Sequence, residues 1–68
     1  MRRGRIKFYN EKSGFGFITD LENGNDYYVQ EKYLSGKVAT EDEVVFEIKI
    51  LKRGPVAINV RKKSGSET

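Results

Sequence analysis

The side chains that most often carry catalysis are missing from this 68-residue chain, which has no histidine and no cysteine. Imidazole acid–base chemistry, thiolate nucleophiles, disulfides and the common zinc sites are therefore absent. Carboxylates, lysines and tyrosine hydroxyls remain, but the acidic residues fall in turns and strand edges with no evident pairing. No enzyme is expected, and neither a cofactor nor a metal. A different chemistry is open to the stretch Lys12-Ser13-Gly14-Phe15-Gly16-Phe17-Ile18-Thr19. In an extended strand, positions two apart share a face, so Phe15 and Phe17 point the same way. Gly14 and Gly16 leave no side chain on the other side to obstruct a neighbouring strand. Aromatics in small domains commonly fill the core, yet Ile18 points the opposite way and is the natural core residue. With Ile18 inward, the two rings face out as a platform on which unpaired bases could stack, for about 1–3 kcal/mol per base.

Such a platform needs strands to hold it. Arg5 to Asn10 reads as a first strand, with Ile6, Phe8 and Tyr9 interleaved with Arg5 and Lys7. Regular alternation puts Phe8 in the core beside Ile6, whereas a bulge or strong twist puts it outside; the local sequence leaves both open. Asn10 to Gly14 reads as a turn, and the second strand runs from Phe15 to about Leu21. Asn23-Gly24 then signals a hairpin, because both residues tolerate positive φ. The third strand, Asp26 to Gln30, carries Tyr28 and Gln30 on one face and Tyr27 and Val29 on the other. With Val29 in the core, Tyr28 joins Phe15 and Phe17 outside, and Tyr27 must bury its ring and find its hydroxyl a partner.

Between Glu31 and Asp42 the alternation lapses, with one helical turn around Tyr33 and Leu34 ended by Gly36. The fourth strand, Glu43 to Leu51, sets Val44, Phe46, Ile48 and Ile50 against Val45, Glu47, Lys49 and Leu51. After the basic turn Lys52-Arg53-Gly54-Pro55, a fifth strand from Val56 to Arg61 places Val56, Ile58 and Val60 on one face. Five short antiparallel strands, tight turns and no helix of useful length indicate an all-β chain closed, or nearly closed, into a small barrel. One domain is expected over residues 1–63, with residues 64–68 as a flexible C-terminal tail.

Charge is distributed unevenly. Residues 1–13 carry five cations and one carboxylate, residues 14–47 two cations and eight carboxylates, and residues 48–68 six cations and one carboxylate. Either this is an ordinary mixed surface, or the two basic ends converge beside the rings, where they could track phosphates. No apolar run approaches the roughly 20 residues needed to cross a bilayer, and no cleavable signal precedes the first strand. A cytoplasmic protein with no membrane partner is expected.

Four segments in order, Gly4-Arg5-Ile6-Lys7-Phe8-Tyr9-Asn10, Gly14-Phe15-Gly16-Phe17-Ile18-Thr19, Asp26-Tyr27-Tyr28-Val29-Gln30 and Arg53-Gly54-Pro55-Val56-Ala57-Ile58-Asn59-Val60, resemble the bacterial cold-shock proteins. The resemblance spans nearly the whole chain. It implies a five-stranded antiparallel OB-fold barrel that binds single-stranded RNA or DNA through two ribonucleoprotein motifs on adjacent strands. Phe15 and Phe17 match the stacking rings of the first motif, and Tyr28 that of the second. Phe8 stands where the family usually has an exposed tryptophan, which favours an outward Phe8. Lys7 and Arg53 match positions facing the bound strand's backbone or base edges.

The departures from the family pattern are specific. Ser13 replaces a favoured lysine, which Lys12 beside it partly offsets. Gln30 replaces a histidine, Glu31 an aromatic, and the loop before the fourth strand looks a few residues shorter and lacks its usual aromatic. Two lost rings, at about 1–3 kcal/mol per base, would weaken or shorten binding relative to a full-pattern relative. Gln30 and Asn59 can hydrogen-bond base edges or serve as ordinary polar surface. The resemblance implies an RNA chaperone that disfavours secondary structure, with mild sequence preference because stacking accepts any base. The competing reading is a small barrel that binds protein through its exposed aromatic patch, with Glu41 to Glu43 as an acidic contact. A monomer is expected, with a dimer that exchanges strands across Ser35 to Thr40 as the alternative.

Overall fold

Five strands make up the computed structural model, which describes residues 1–63. The expected tail at 64–68 lies outside the described residues. The strands are β1 (Arg2–Asn10), β2 (Phe15–Asp20), β3 (Asp26–Gln30), β4 (Glu43–Leu51) and β5 (Gly54–Lys62), with a single 3₁₀ turn at Glu31–Tyr33. Burial alternates strictly in β2 and β3 and is interrupted in the longer strands. The five close into a barrel in the order β1-β2-β3-β5-β4, with β4 returning to pair with β1. Four of the pairings are antiparallel, as the sequence suggests. The seam between β3 and β5 is parallel, joined where Tyr28 meets Val56, so the barrel is mixed rather than purely antiparallel.

Turn chemistry sets the register. The side-chain oxygen of Asn10 accepts the N–H groups of Lys12 (3.0 Å) and Ser13 (3.1 Å), while Gly14 takes φ +75° and returns its N–H to the Asn10 carbonyl. Asn is favoured at such a place because its amide mimics a backbone turn. At the next turn Asp20 and Asn23 each cap an N–H two residues on, and Gly24 (φ +79°) bonds back to the Asp20 carbonyl.

Ile6, Ile18, Val29, Val44, Phe46, Ala57 and Val60 are fully buried and form the core with Tyr27 and Val38. Each of the buried Val, Ile and Phe side chains contributes about 1.5–3 kcal/mol of transfer free energy. In β4 the expected inward face holds for Val44 and Phe46, and Ile48 still packs against the core. Ile50 lies beyond the barrel, 72% exposed, because the β4–β5 hairpin outruns the strands it could pack against.

The fifth strand differs from its sequence reading. Val45 pairs with Arg61 and Glu47 with Ile58, so Asn59 and Val60 together oppose Phe46. Asn59 sits in this bulge with φ +51°, a conformation asparagine tolerates better than most residues. Val56 and Val60 are buried as expected, but Ala57 joins them and Ile58, expected on the same face, is half-exposed. The Asn59 amide donates to Glu47 Oε1 at 2.8 Å, so it is engaged within the barrel wall. The connection before β4 is tied to β1: Glu41 donates to the Ile6 carbonyl, Ile6 to that of Asp42, and Val38 is buried.

Candidate nucleic-acid interface

The alternation that buries Ile18, Tyr27 and Val29 turns Phe15, Phe17 and Tyr28 outward. Phe8 joins them by a different device. Ile6 pairs with Ile18 and Phe8 with Phe17, so Lys7 is an extra residue on β1 and the strand changes face across it. The bulge settles the alternative the local sequence leaves open: Phe8 is outside, 40% exposed, and Tyr9 packs against the core.

Gly16 allows the two strands to come this close. A Cβ there would stand 2.2 Å from the Phe8 carbonyl oxygen and 2.9 Å from Tyr9 Cα, both backbone atoms that cannot yield cheaply. The result is a row of rings across three strands, Phe8 opposite Phe17 opposite Tyr28. Phe15 completes a four-ring patch, with centroids 6.2 Å from Phe8 and 5.8 Å from Tyr28. The Phe8–Phe17 and Phe17–Tyr28 separations are 5.6 and 5.7 Å. These distances fall in the range of favourable tilted and edge contacts, which support the rings mutually while leaving part of each free.

Around the patch the polar candidates divide. Gln30 stands opposite Phe15. An open groove continues from the rings, lined by Phe17, Tyr28, Gln30, Tyr33, Arg53 and Pro55 among others, which places Arg53 beside the patch. Lys12 is exposed in the β1–β2 turn. The Lys7 ammonium is held by Asp26 at 2.8 Å, and Thr19 donates to the other Asp26 oxygen at 2.7 Å. The bond from Lys7, with that from Thr19, holds the Asp26 carboxyl below the usual carboxylate range.

The expected convergence of the two basic ends on the rings is therefore only partial. Each ion pair among the described residues joins a basic end to the acidic middle: Arg2 to Asp20 and Glu22, Lys7 to Asp26, Lys62 to Asp42 and Lys63 to Glu43. Neither Lys12 nor Arg53 is ion-paired among the described residues. Part of the charge asymmetry is thus taken up by ion pairs across the barrel surface.

One residue of this region is missed by the sequence reading. Tyr33, taken there only as part of a helical turn, packs against the core and also lines the groove, with Lys32 Nζ 5.3 Å from its ring centroid. Its signal was an aromatic two positions beyond Glu31, on the turn that follows the platform strand.

Comparisons with known proteins agree with this geometry. The family model described as 'Cold-shock' DNA-binding domain matches residues 2–63. The cold shock-like protein CspC of Buchnera aphidicola is 40% identical over 62 residues, which cover 85% of this chain and 90% of that protein. CspC of Escherichia coli K12 is 37% identical over 62 residues, with the same 85% and 90% covered. Cold shock protein CspB of Bacillus caldolyticus is 39% identical over 66 residues, covering 91% and 98%. Among solved structures, drosophila Unr CSD456 superposes with a TM-score of 0.76 at 23% identity, covering 98% of this chain and 28% of that one. That likeness concerns the fold.

Proposed function

The chain belongs to the cold-shock domain family, and on that premise we propose that it binds single-stranded RNA or DNA on the face built by Phe8, Phe15, Phe17 and Tyr28. The observation that carries the reading is the contiguity of those four outward rings, each within about 6 Å of two others. Bases splayed from a single strand stack on them, while Arg53, Lys12 and Lys7 offset phosphate charge. Lys7 acts after exchanging Asp26 for a phosphate. Gln30 is placed to hydrogen-bond a base edge.

Binding of this kind makes and breaks no covalent bond. A strand whose bases lie on rings cannot pair with itself, so the protein melts weak secondary structure, the behaviour of an RNA chaperone. Because every base has a π-face, sequence preference is mild.

Titration of a labelled pyrimidine-rich oligonucleotide at two salt concentrations tests the proposal. Saturable binding is expected at low salt. Three neutralised phosphates would give a slope of log K against log salt near −2, from about 0.7 per phosphate on single strands. Absence of saturable binding at low salt would overturn it. A salt-independent interaction would point instead to a protein partner anchored on the rings.

A further inference from the structure

The four rings end at Tyr28 and Gln30 on β3, and a longer strand has two ways off the patch. One leads toward a cleft lined by Tyr9, Glu11, Glu31 and Lys37 among others. This corner offers two carboxylates beside one lysine and no stacking surface beyond a tyrosine packed on the core. Burial first, and then the charges of Glu31 and Glu11, push the Tyr9 hydroxyl above its usual value. With Lys37 against two carboxylates the lining keeps a net negative charge, which is less favourable to a phosphate backbone than a groove lined by Arg53.

The other way is the groove past Tyr28. Val56 and Pro55 lie there with the Tyr33 ring, and Arg53 supplies a cation. Gln30 lines the same groove, and its side-chain amide has no hydrogen-bond partner among the described residues. Lys32, exposed, rests over the Tyr33 ring. An exposed cation–ring contact is weaker than base stacking, so an arriving base can displace that ammonium.

Resting on the function proposed above, we propose that this groove is a further base subsite: the strand leaves the four-ring patch past Tyr28 and stacks one more base against Tyr33, with Gln30 at its edge and Arg53 at its phosphate. The acidic corner at Glu11 and Glu31 directs the strand toward this side.

The chain has no tryptophan, so Tyr33→Trp introduces a unique reporter while keeping a ring. With oligothymidines of about four and about eight nucleotides, within the site sizes of one such barrel, the longer should quench that emission on saturation and the shorter should change it less. Tyr33→Leu, which keeps apolar packing against the core, should weaken the longer oligonucleotide about tenfold, in the range of one stacked base, and leave the shorter within about twofold. Thermal unfolding followed by circular dichroism checks that the variants fold, and where Tyr33→Leu does not, the tryptophan reporter decides. Unchanged emission while a labelled longer oligonucleotide binds overturns the subsite and leaves the four-ring interface standing. Equal losses for both lengths on a folded Tyr33→Leu protein overturn it as well. A parent protein that binds neither oligonucleotide overturns both.

Discussion

Tyr27 and Tyr28 are adjacent in the chain and end in opposite surroundings. Tyr27 is 8% exposed, its ring centroid 6.0 Å from that of Phe46 inside the barrel. Its hydroxyl reaches the Asn23 amide at the rim, which donates over 3.5 Å. Tyr28 lies outside among Phe15 and Phe17. Ring chemistry does not separate them; strand parity does. The inner pair is enclosed by Ile18, Val29 and Val44, so its area is already removed from water in the folded state. The outer four rings touch mainly one another, and the area they keep exposed can be covered only by something that binds. One aromatic cluster contributes to folding, and the other keeps surface exposed that, on the proposed function, a flat partner covers.

The sharpest way to break this contrast is to truncate one ring from each side. Phe46→Ala empties the centre of the core, where loss of a buried phenylalanine costs about 3–5 kcal/mol. A domain this small has a net stability of comparable size. The variant should be largely unfolded at 25 °C by circular dichroism and take nucleic-acid binding down with it. The double variant Phe15→Ala, Phe17→Ala should do the reverse, losing about 2–6 kcal/mol of binding from two stacking surfaces while shifting the unfolding midpoint little. A double variant that unfolds before it stops binding would mean that the outer rings are structural after all, and the distinction between Tyr27 and Tyr28 would fail.

Much of this arrangement can be read from the residues. Alternation in Asp26–Gln30 sorts Tyr27 from Tyr28, Ile18 identifies the inner face of β2, and the Asn10–Gly14 and Asn23–Gly24 turns fall where Asn and Gly require them. The bulges at Lys7 and Asn59 are less legible, because an extra residue in a strand leaves the composition of that strand unchanged. Phe8 is assigned outward by family resemblance rather than by its neighbours, and on β5 Ile58 and Ala57 are misread because nothing local marks Asn59 as the crossover. The parallel seam at Tyr28 and Val56 follows from barrel closure, a property of the whole chain. The fate of the charges is likewise hidden, since Lys7 and Asp26 lie 19 positions apart and meet only once β1, β2 and β3 are side by side.

The smallest effects concern charge, where inside and outside also differ. Asp20 is fully buried and bonded by Arg2, and it accepts the Glu22 N–H at 2.7 Å. Asp26 is exposed and bonded by Lys7. Burial pushes the Asp20 carboxyl up, but the bond from Arg2, backed by backbone N–H groups, outweighs it and holds the group below its ordinary value. A carboxyl lowered in the fold adds stability above its unfolded pKa, about 3.9, and loses it as pH falls through the folded value. In Arg2→Met burial is less opposed and the folded pKa rises, so that contribution at neutral pH shrinks and acidification costs less. The gap in thermal midpoint between parent and Arg2→Met should therefore be widest near pH 7 and narrow below about pH 4. Lys7→Gln should behave in the same sense but more weakly, because water already solvates Asp26 and screens the pair. Equal gaps for the two variants at every pH would show that burial of Asp20 does not amplify its dependence on Arg2, and the division between inner and outer faces would then hold for rings but not for charges.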